Sequence, residues 1–215
     1  MSVMQEMVFR GVDVVAILVE WAMARIALHQ DIQSKAHKEI NAAVGSQPIT
    51  DSDISNLRFL QCVVKETLRM HPPGPLLSWA RLAVRDTRVG KHAVPAGTTA
   101  MVNMWAISRD EVVWGDPLAF RPERFGGDPL GGPTGGTHVS VLGSDLRLAP
   151  FGSGRRVCPG RVMGLSAAQL WVGRLLQEYE WSPAAKPVKL GERLRLSMEM
   201  KEPLVCRAVR RGEEF

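Results

Sequence analysis

The sequence lacks the features that would assign it to several protein classes. Its three cysteines, Cys62, Cys158 and Cys206, are far apart and form no Cys-x-x-Cys pair. This usage argues against a disulfide framework and a cysteine-rich zinc site, and it indicates a compartment with reduced thiols. No apolar run is long enough to span a membrane, because the longest, residues 12–19, contains Asp13. The N-terminus also lacks the basic start and apolar core of a secretory signal.

The chain also has only a small excess of one charge over the other. The chain has 27 Lys and Arg against 22 Asp and Glu, a formal net charge of +5. Because the basic residues are scattered, the sequence does not indicate nucleic-acid binding. With 45% hydrophobic and 23% charged residues, the composition excludes wholesale disorder, collagen and coiled coil. A length of 215 residues corresponds to one large domain or slightly more.

Hydrophobic periodicity predicts a helical N-terminal part. Apolar residues at helical spacing predict a first helix over 8–26, and a second follows at 31–43 and ends at Gly45. A third is predicted after candidate N-caps at 50–53 and ends at the prolines that follow His71. Its apolar face consists of Ile54, Leu57, Leu60, Val64 and Leu68.

The pattern changes after residue 76. Residues 82–84 and 98–104 have strand composition, and Val-Pro-Ala-Gly at 94–97 supplies a turn, which predicts a small sheet. Gly and Pro crowd the start of an irregular loop over 126–149.

A last long helix is predicted over 161–179, with short strands around 194–198 and 204–209. Helices thus dominate, and strands come in small groups. This order predicts a mainly α fold with small β-sheets, of the α+β class.

The segment with the most chemical information is 150–160, Pro-Phe-Gly-Ser-Gly-Arg-Arg-Val-Cys-Pro-Gly. It places Cys158 between a glycine-rich loop and a predicted helix start. Glycines let backbone approach a bulky ligand, and amides at a helix start stabilise an anion such as a thiolate. A dinucleotide fingerprint would need glycine at Val157, and a phosphate loop would need Gly-Lys-Ser/Thr. The other interpretation is a buried, unreactive cysteine beside a surface turn.

The spacing Phe-x-x-Gly-x-Arg-x-Cys-x-Gly resembles the haem-binding loop of the cytochromes P450. The matching residues are Phe151, Gly154, Arg156, Cys158 and Gly160. The resemblance implies that Cys158 is the axial ligand of the iron in haem b, and that Arg156 contacts a haem propionate. It also implies a propionate contact for Arg81, which ends the run Pro-Leu-Leu-Ser-Trp-Ala-Arg.

Two further motifs support this resemblance. Glu66 and Arg69 match the family's Glu-x-x-Arg pair, and Arg124 lies in Pro-Glu-Arg-Phe, which is similar to another family motif. Glu192 and Arg195 have the same spacing as the first pair, but they lie in a strand region. The resemblance implies that Glu66, Arg69 and Arg124 form a buried charge triad beneath the haem. The alternative is two separate surface pairs.

The first helix resembles the family's distal helix, whose motif is Ala/Gly-Gly-x-Asp-Thr. Here residues 10–14 are Arg-Gly-Val-Asp-Val, so Asp13 is present for proton delivery, while Val14 replaces the threonine. Valine offers no hydrogen bond to the ordered water that delivers protons. We therefore expect poor coupling, with peroxide released in place of product. The other interpretation is chemistry without oxygen activation, such as isomerisation or hydroperoxide dehydration.

The resemblance extends from the first helix to about Cys206 and is closest to plant family 78. It implies a haem-thiolate monooxygenase that inserts one oxygen atom from O2 into a small hydrophobic substrate, similar to a fatty acid. Leu76, Leu77 and Ser78 would line the substrate pocket. Electrons would come from NADPH through a flavoprotein reductase that docks on a basic face. The candidates for that face are Arg155, Arg161 and Arg174.

Complete family members are more than twice as long and sit on the endoplasmic reticulum, facing the cytosol, through an N-terminal anchor. This sequence of 215 residues therefore corresponds to the C-terminal half of the fold, one partial domain over 1–215 without an anchor. We expect exposed apolar faces where the other half would pack. The competing hypothesis is an inactive fragment that binds haem or engages other proteins.

Overall fold

A computed structural model describes residues 3–76, 81–126 and 139–212. Its α-helices, in chain order, are α1 (Val3–Leu28), α2 (Gln30–Val44), α3 (Arg58–Met70), α4 (Met104–Ile107), α5 (Glu111–Trp114) and α6 (Arg161–Glu178). Short 3-10 helices occupy Asp51–Asn56, Pro122–Phe125 and Gly154–Arg156. The strands are β1 (Arg81–Leu82), β2 (Thr87–Val89), β3 (His92–Val94), β4 (Thr99–Ala100), β5 (Tyr179–Pro183), β6 (Glu192–Leu194), β7 (Met198–Met200) and β8 (Cys206–Arg210).

The four predicted helices are present, but the third begins later than expected and the last ends one residue earlier. Residue 54 lies in a 3-10 helix, where Thr50 and Asp53 form a capping box. Helix α3 then begins at Arg58, because Glu39 of α2 accepts hydrogen bonds from the backbone N–H groups of Phe59 at 2.7 Å and Leu60 at 2.9 Å. A carboxylate at these free amides stabilises the helix start through hydrogen bonds and through the helix dipole.

The main core lies between α1, α2, α3 and α6. It buries aliphatic side chains from all four helices, among them Ile26, Ile40, Leu60 and Val172. Gly173 allows α6 to approach closely, since a Cβ there would lie 3.0 Å from Leu60 Cδ2. This helical core supports the cysteine loop, which directly precedes α6.

The strands form four antiparallel pairs, β1–β4, β2–β3, β5–β8 and β6–β7. The expected strand over 194–198 is wrong, because Leu194 pairs with Met198 across the turn that joins β6 to β7. Tyr179, expected in the last helix, begins β5 and pairs with Arg210 of β8. The sequence has no helix breaker at this boundary, so local pattern alone could not locate it.

The irregular loop is described only from residue 139 onward, and residues 127–138 lie outside the description. Over 139–149 it consists of turns, yet it buries Val139, Val141 and Leu148 against Trp114 and Phe125. This part of the loop therefore packs into the protein core. Together, the helices and paired strands agree with the predicted mainly α fold with small sheets.

Candidate haem-binding site

The cysteine loop is closed by its own backbone. The N–H of Cys158 donates to the carbonyl of Phe151 at 2.9 Å, and the N–H of Val157 donates to the carbonyl of Gly154 at 3.1 Å. Cys158 is half-buried at the end of this loop. The hydrogen bonds fix its backbone and leave its thiol available for a ligand.

Glycines make this loop conformation accessible. Gly152 and Gly154 have φ values of +74° and +71°, in the left-handed region that other residues rarely adopt. A Cβ on Gly143 would lie 2.6 Å from the carbonyl oxygen of Gly152, and the Ser153 hydroxyl donates to the Gly143 carbonyl at 2.7 Å. The loop therefore lies directly against the backbone of the preceding turn.

The side chain of Phe151 anchors the loop to three helices. It packs in a cluster with Leu18 of α1, Val64 and Leu68 of α3, and Leu165 of α6. Phe151 therefore fixes the N-terminal end of the cysteine loop against these helices.

Cys158 lies three residues before Arg161, the first residue of α6, and two before the N-cap Gly160. Arg161, the first helical residue, donates from Nη1 to the carbonyl of Cys158 at 3.2 Å. The buried Nε of Arg161 finds no hydrogen-bond partner among the described residues. A positive helix end and a guanidinium next to the cysteine suit an anionic ligand.

The other two thiols are poor candidates for a ligand. Burial raises the pKa of Cys62 to about 11, and burial also raises the pKa of Cys206. A thiol must lose its proton to ligate a metal. Cys158, in its glycine-rich loop, is therefore the cysteine that suits metal binding.

A cavity of about 560 Å³ opens beside the loop and is lined by Arg81, Ser153, Arg155 and Arg156. The structure thus brings Arg81 of β1 next to the cysteine loop, although the two are distant in sequence. Three guanidinium groups around one cavity suit a ligand with carboxylate groups. Together with the thiol of Cys158, this donor set fits a haem. Sequence reasoning did not single out Ser153, which occupies a variable position of the motif.

Glu66, Arg69 and Arg124 meet in one buried network. Arg69 donates from Nε and Nη2 to the two carboxylate oxygens of Glu66, both at 2.8 Å. Arg124 Nε donates to Glu66 Oε1 at 3.1 Å, and the backbone N–H of Arg121 donates to the same oxygen at 2.9 Å. The side chains of Glu66 and Arg69 are 0% exposed.

The remaining donors of both arginines bind backbone carbonyls. Arg69 Nη1 donates to Ser108 at 2.7 Å and Pro117 at 2.9 Å. Arg124 Nη1 donates to the carbonyl of Trp114 at 2.7 Å. Because buried charges are costly unless paired and hydrogen-bonded, the network holds α3 and the segment 108–124 in one arrangement.

Other sequence-predicted residues lie away from this network. Asp13 is exposed and Val14 is half-buried on α1. Val15 Cγ2 would lie 3.7 Å from a Cβ on Gly164 of α6, so α1 passes the start of α6 at this point. Leu76 is half-buried, whereas Leu77 and Ser78 lie outside the described residues. Arg161 and Arg174 are half-buried on α6.

No helix in the described ranges has the length and hydropathy needed to cross a bilayer. A search among the described His, Cys, Asp and Glu residues also finds no group of three or more that could hold a metal ion. A single axial cysteine is a different kind of site and depends on a macrocycle for its other ligands.

Comparisons with known proteins agree with this geometry. A family model for cytochrome P450 matches residues 1–207. The chain is 57% identical over 216 aligned residues to cytochrome P450 78A5 of Arabidopsis thaliana, covering 100% of this chain and 40% of that protein. It is 53% identical to cytochrome P450 78A3 of Glycine max, covering 98% of this chain and 40% of that protein.

A solved zebrafish cytochrome P450 structure with abiraterone is also similar. It has a TM-score of 0.79 and 30% sequence identity, covering 93% of this chain and 44% of that one. The chain therefore spans about 40% of the length of the curated relatives described above. The resemblance to plant family 78 and the expected fold class are both confirmed, and the chain belongs to the cytochrome P450 family.

Proposed function

We propose that this chain supplies the haem-thiolate centre of a cytochrome P450 monooxygenase, with Cys158 as the axial ligand of haem b. Family membership implies a haem cofactor. The observation that carries the proposal is the position of Cys158. It ends a backbone-closed, glycine-rich loop beside a cavity that Arg81, Arg155 and Arg156 line.

When bound, thiolate-ligated haem supplies the activation of O2 that inserts one oxygen atom into a C–H bond. The chain's residues divide the supporting work. The loop presents the sulfur of Cys158, and Arg81 and Arg156 pair with the propionates. The N-terminus of α6 and Arg161 place positive charge next to the anionic sulfur.

The buried triad has a structural role in this proposal. Glu66 and Arg69 connect α3 to the backbone of segment 108–124, and α3 contributes Val64 and Leu68 to the cluster that holds Phe151. The triad therefore supports the cysteine loop from behind without touching the reacting groups.

Proton delivery falls to Asp13 on the exposed side of α1. Val14 has no hydroxyl with which to hold an ordered water beside it. An acid without its alcohol partner transfers protons less efficiently, which favours peroxide release. Hydroperoxide isomerisation or dehydration, which needs no such delivery, is the second candidate reaction, and the Val14 side chain is the observation that favours it.

The substrate is a small hydrophobic molecule of the fatty-acid type, and Leu76, Leu77 and Ser78 line its pocket. Electrons come from NADPH through cytochrome P450 reductase, which docks on a basic face that includes Arg161 and Arg174, whereas Arg155, the third candidate for that face, lines the cavity beside the cysteine loop. The full-length parent lies on the cytosolic face of the endoplasmic reticulum. Family resemblance supports these assignments, and the half-buried Leu76 is consistent with a pocket wall.

The test is a titration of the chain with haem, followed by absorbance, in the wild type, Cys158→Ala and Cys206→Ala. Cys206 is the matched control, because it is also half-buried but lies on β8. We expect the thiolate-type spectrum in the wild type and in Cys206→Ala, and its loss in Cys158→Ala. A spectrum that survives in Cys158→Ala would contradict the proposal.

Turnover with reductase and NADPH separates the enzyme from the competing hypothesis. Haem binding with the thiolate spectrum and substrate oxidation would support the monooxygenase. Haem binding without turnover, in the presence of reductase, would favour a haem-binding module that has no activity of its own.

A further inference from the structure

A second buried polar cluster lies at the C-terminal end of α3, next to the triad residue Arg69. His71 is 2% exposed and its ring stacks on Trp21 of α1, with centroids 3.8 Å apart and planes 2° from parallel. Arg25 Nε lies 3.0 Å from His71 Nε2, and Glu192 Oε1 lies 3.0 Å from His71 Nδ1. Both ring nitrogens of His71 are therefore engaged.

These contacts define the protonation state of His71. Arg25 Nε can only donate, so His71 Nε2 must accept and carries no proton. The ring proton then lies on Nδ1 and is donated to the carboxylate of Glu192. Burial agrees with a neutral ring, because it lowers the pKa of His71 to about 4.

Glu192 is the common acceptor of this cluster. Its Oε1 accepts from His71 and from Arg109 Nη2, the latter at 3.3 Å, and its Oε2 accepts from Trp105 Nε1 at 2.9 Å. Arg109 also donates to the carbonyl of Met70 at the end of α3. Both oxygens of Glu192 therefore act only as acceptors, which requires a carboxylate.

The cluster surrounds the segment that leaves α3. The carbonyl of Pro73 accepts from the N–H of Met198 at 2.8 Å, and the carbonyl of Pro75 accepts from the N–H of Trp105 at 3.1 Å. Trp21 Nε1 in turn donates to the carbonyl of Met198 at 3.1 Å. Trp105, which donates to Glu192, thus also holds the backbone of segment 71–76 at Pro75, and Met198 of β7 holds it at Pro73.

The Glu-x-x-Arg spacing at Glu192 and Arg195 has no pairing behind it. Arg195 Nε contacts Glu199 at 3.1 Å instead. Glu192 turns inward from β6, and its side chain is 21% exposed. Glu192, which shares the Glu-x-x-Arg spacing of Glu66, therefore pairs with other residues than the arginine of that motif.

We propose that Glu192 is a positioning residue that, through His71 and Trp105, fixes segment 71–76, which precedes the cavity residue Arg81 in the chain. The inference rests on the proposed function for its consequence, but the positioning itself concerns only the protein. Arg81 follows Leu76 by only five residues in the sequence, so a displaced segment 71–76 would misplace this guanidinium at the cavity and weaken haem binding.

The first test compares Glu192→Gln with Glu199→Gln in the whole chain without added haem. Glutamine keeps one acceptor oxygen and gains an N–H2 group, which must face the donor of Trp105 or those of His71 and Arg109. Glu199, on the paired strand β7, contacts Arg193 and Arg195 and serves as the control.

The readout is amide hydrogen exchange at Trp105 and Met198, whose N–H groups bond to the segment. We expect exchange at both amides to be about tenfold faster in Glu192→Gln and unchanged in Glu199→Gln, while amides within α2 keep their rates. Unchanged exchange in Glu192→Gln would overturn the proposal.

A rescue variant separates positioning from general stability. Trp105→Phe removes the donor that faces Oε2, so the glutamine in Glu192→Gln/Trp105→Phe can turn its N–H2 group to the vacated side. We expect the double variant to regain the exchange rate at Met198 and the neutral, Nδ1-protonated ring of His71, read from nitrogen shifts. If Glu192→Gln and Glu192→Gln/Trp105→Phe are equally unfolded, the proposal is wrong, because the loss of the negative charge alone would then explain the faster exchange.

Haem affinity, measured with hemin, gives the functional readout. We expect Glu192→Gln to bind about tenfold more weakly than Glu199→Gln, since a misplaced Arg81 would lose a hydrogen bond to a charged group of the ligand. Equal affinities would remove the link to the site. If the wild type binds no haem, the proposed function fails, whereas the exchange experiment still decides whether Glu192 positions the segment.

Discussion

Glu66 and Glu192 are two inward-facing carboxylates with different surroundings. Glu66 binds Arg69 within α3, and Glu192 binds His71 just after α3. Glu66 is 0% exposed and contacts two arginines, Arg69 and Arg124. The side chain of Glu192 is 21% exposed and contacts a neutral histidine, a tryptophan and one arginine. The first is a sealed charge network, and the second depends on the protonation state of His71. The two clusters should therefore respond differently to mutation.

The largest effect is expected at the sealed network. Glu66→Gln leaves Arg69 buried without a counter-charge and turns an N–H2 group toward the arginine donors. Breaking one partner of a buried pair costs about 3–5 kcal/mol, so the free energy of unfolding from denaturant titration should fall by this amount. Glu199→Gln, in a partly exposed pair, is the control. A loss below about 1 kcal/mol would show that Glu66 is not sealed.

The pH response should come from the second cluster. Burial lowers the pKa of His71 from 6.5 to about 4, so between these values the unfolded chain binds more protons than the folded chain. Stability is then complete above pH 6.5 and falls as the pH drops toward 4, by about 2 kcal/mol between pH 7.5 and pH 5. Arg25, Arg109 and Glu192 face this ring.

Unfolding titrations at the two pH values measure this loss. His71→Gln should abolish it, whereas His92→Gln, at an exposed position on β3, should retain it. An identical pH dependence in His71→Gln and the wild type would mean that the ring of His71 is not the titrating group.

Hydrogen bonds from His71 and Trp105 outweigh burial and lower the pKa of Glu192. Its contribution to stability is therefore lost as the pH falls through its folded pKa. This loss has the same sign as that of His71 and comes at the acidic end of the range.

Asp13 on α1 is an exposed acid, in contrast to Glu66 and Glu192, and the residue after it is Val14. In an enzyme that turns over substrate, Val14→Thr should lower the ratio of peroxide to product about tenfold, because the threonine hydroxyl can hydrogen-bond the water that delivers protons. Val14→Ala controls for the change in volume. An unchanged ratio in Val14→Thr would remove the proton-delivery explanation.

The smallest effect is expected beside the triad. Glu123 precedes Arg124 in sequence, but its pair with Lys35 at 2.8 Å is 54% exposed on both sides. Exposed pairs contribute about 0–1 kcal/mol, so Glu123→Gln should change the free energy of unfolding by less than about 1 kcal/mol. A loss equal to that of Glu66→Gln would show that exposure does not distinguish these neighbouring carboxylates.

The features that could be predicted from the sequence are local. The cysteine loop is a contiguous motif, and its glycines and Cys158 lie within ten residues. The start of α3 could not be predicted, because Glu39 of another helix caps it. The contacts of Glu192 are with His71 and Trp105, which lie far away in the chain. Spacing along the chain reports neighbours within one element, whereas these contacts depend on how elements pack.

Ligation of haem by Cys158 can be measured in the reduced, carbon-monoxide-bound difference spectrum of the chain reconstituted with haem. We expect the strongly red-shifted Soret band of thiolate ligation, retained in Cys206→Ala and lost in Cys158→Ala. A band without this shift in the wild type, or a shifted band that persists in Cys158→Ala, would contradict the assignment of Cys158 as the haem ligand.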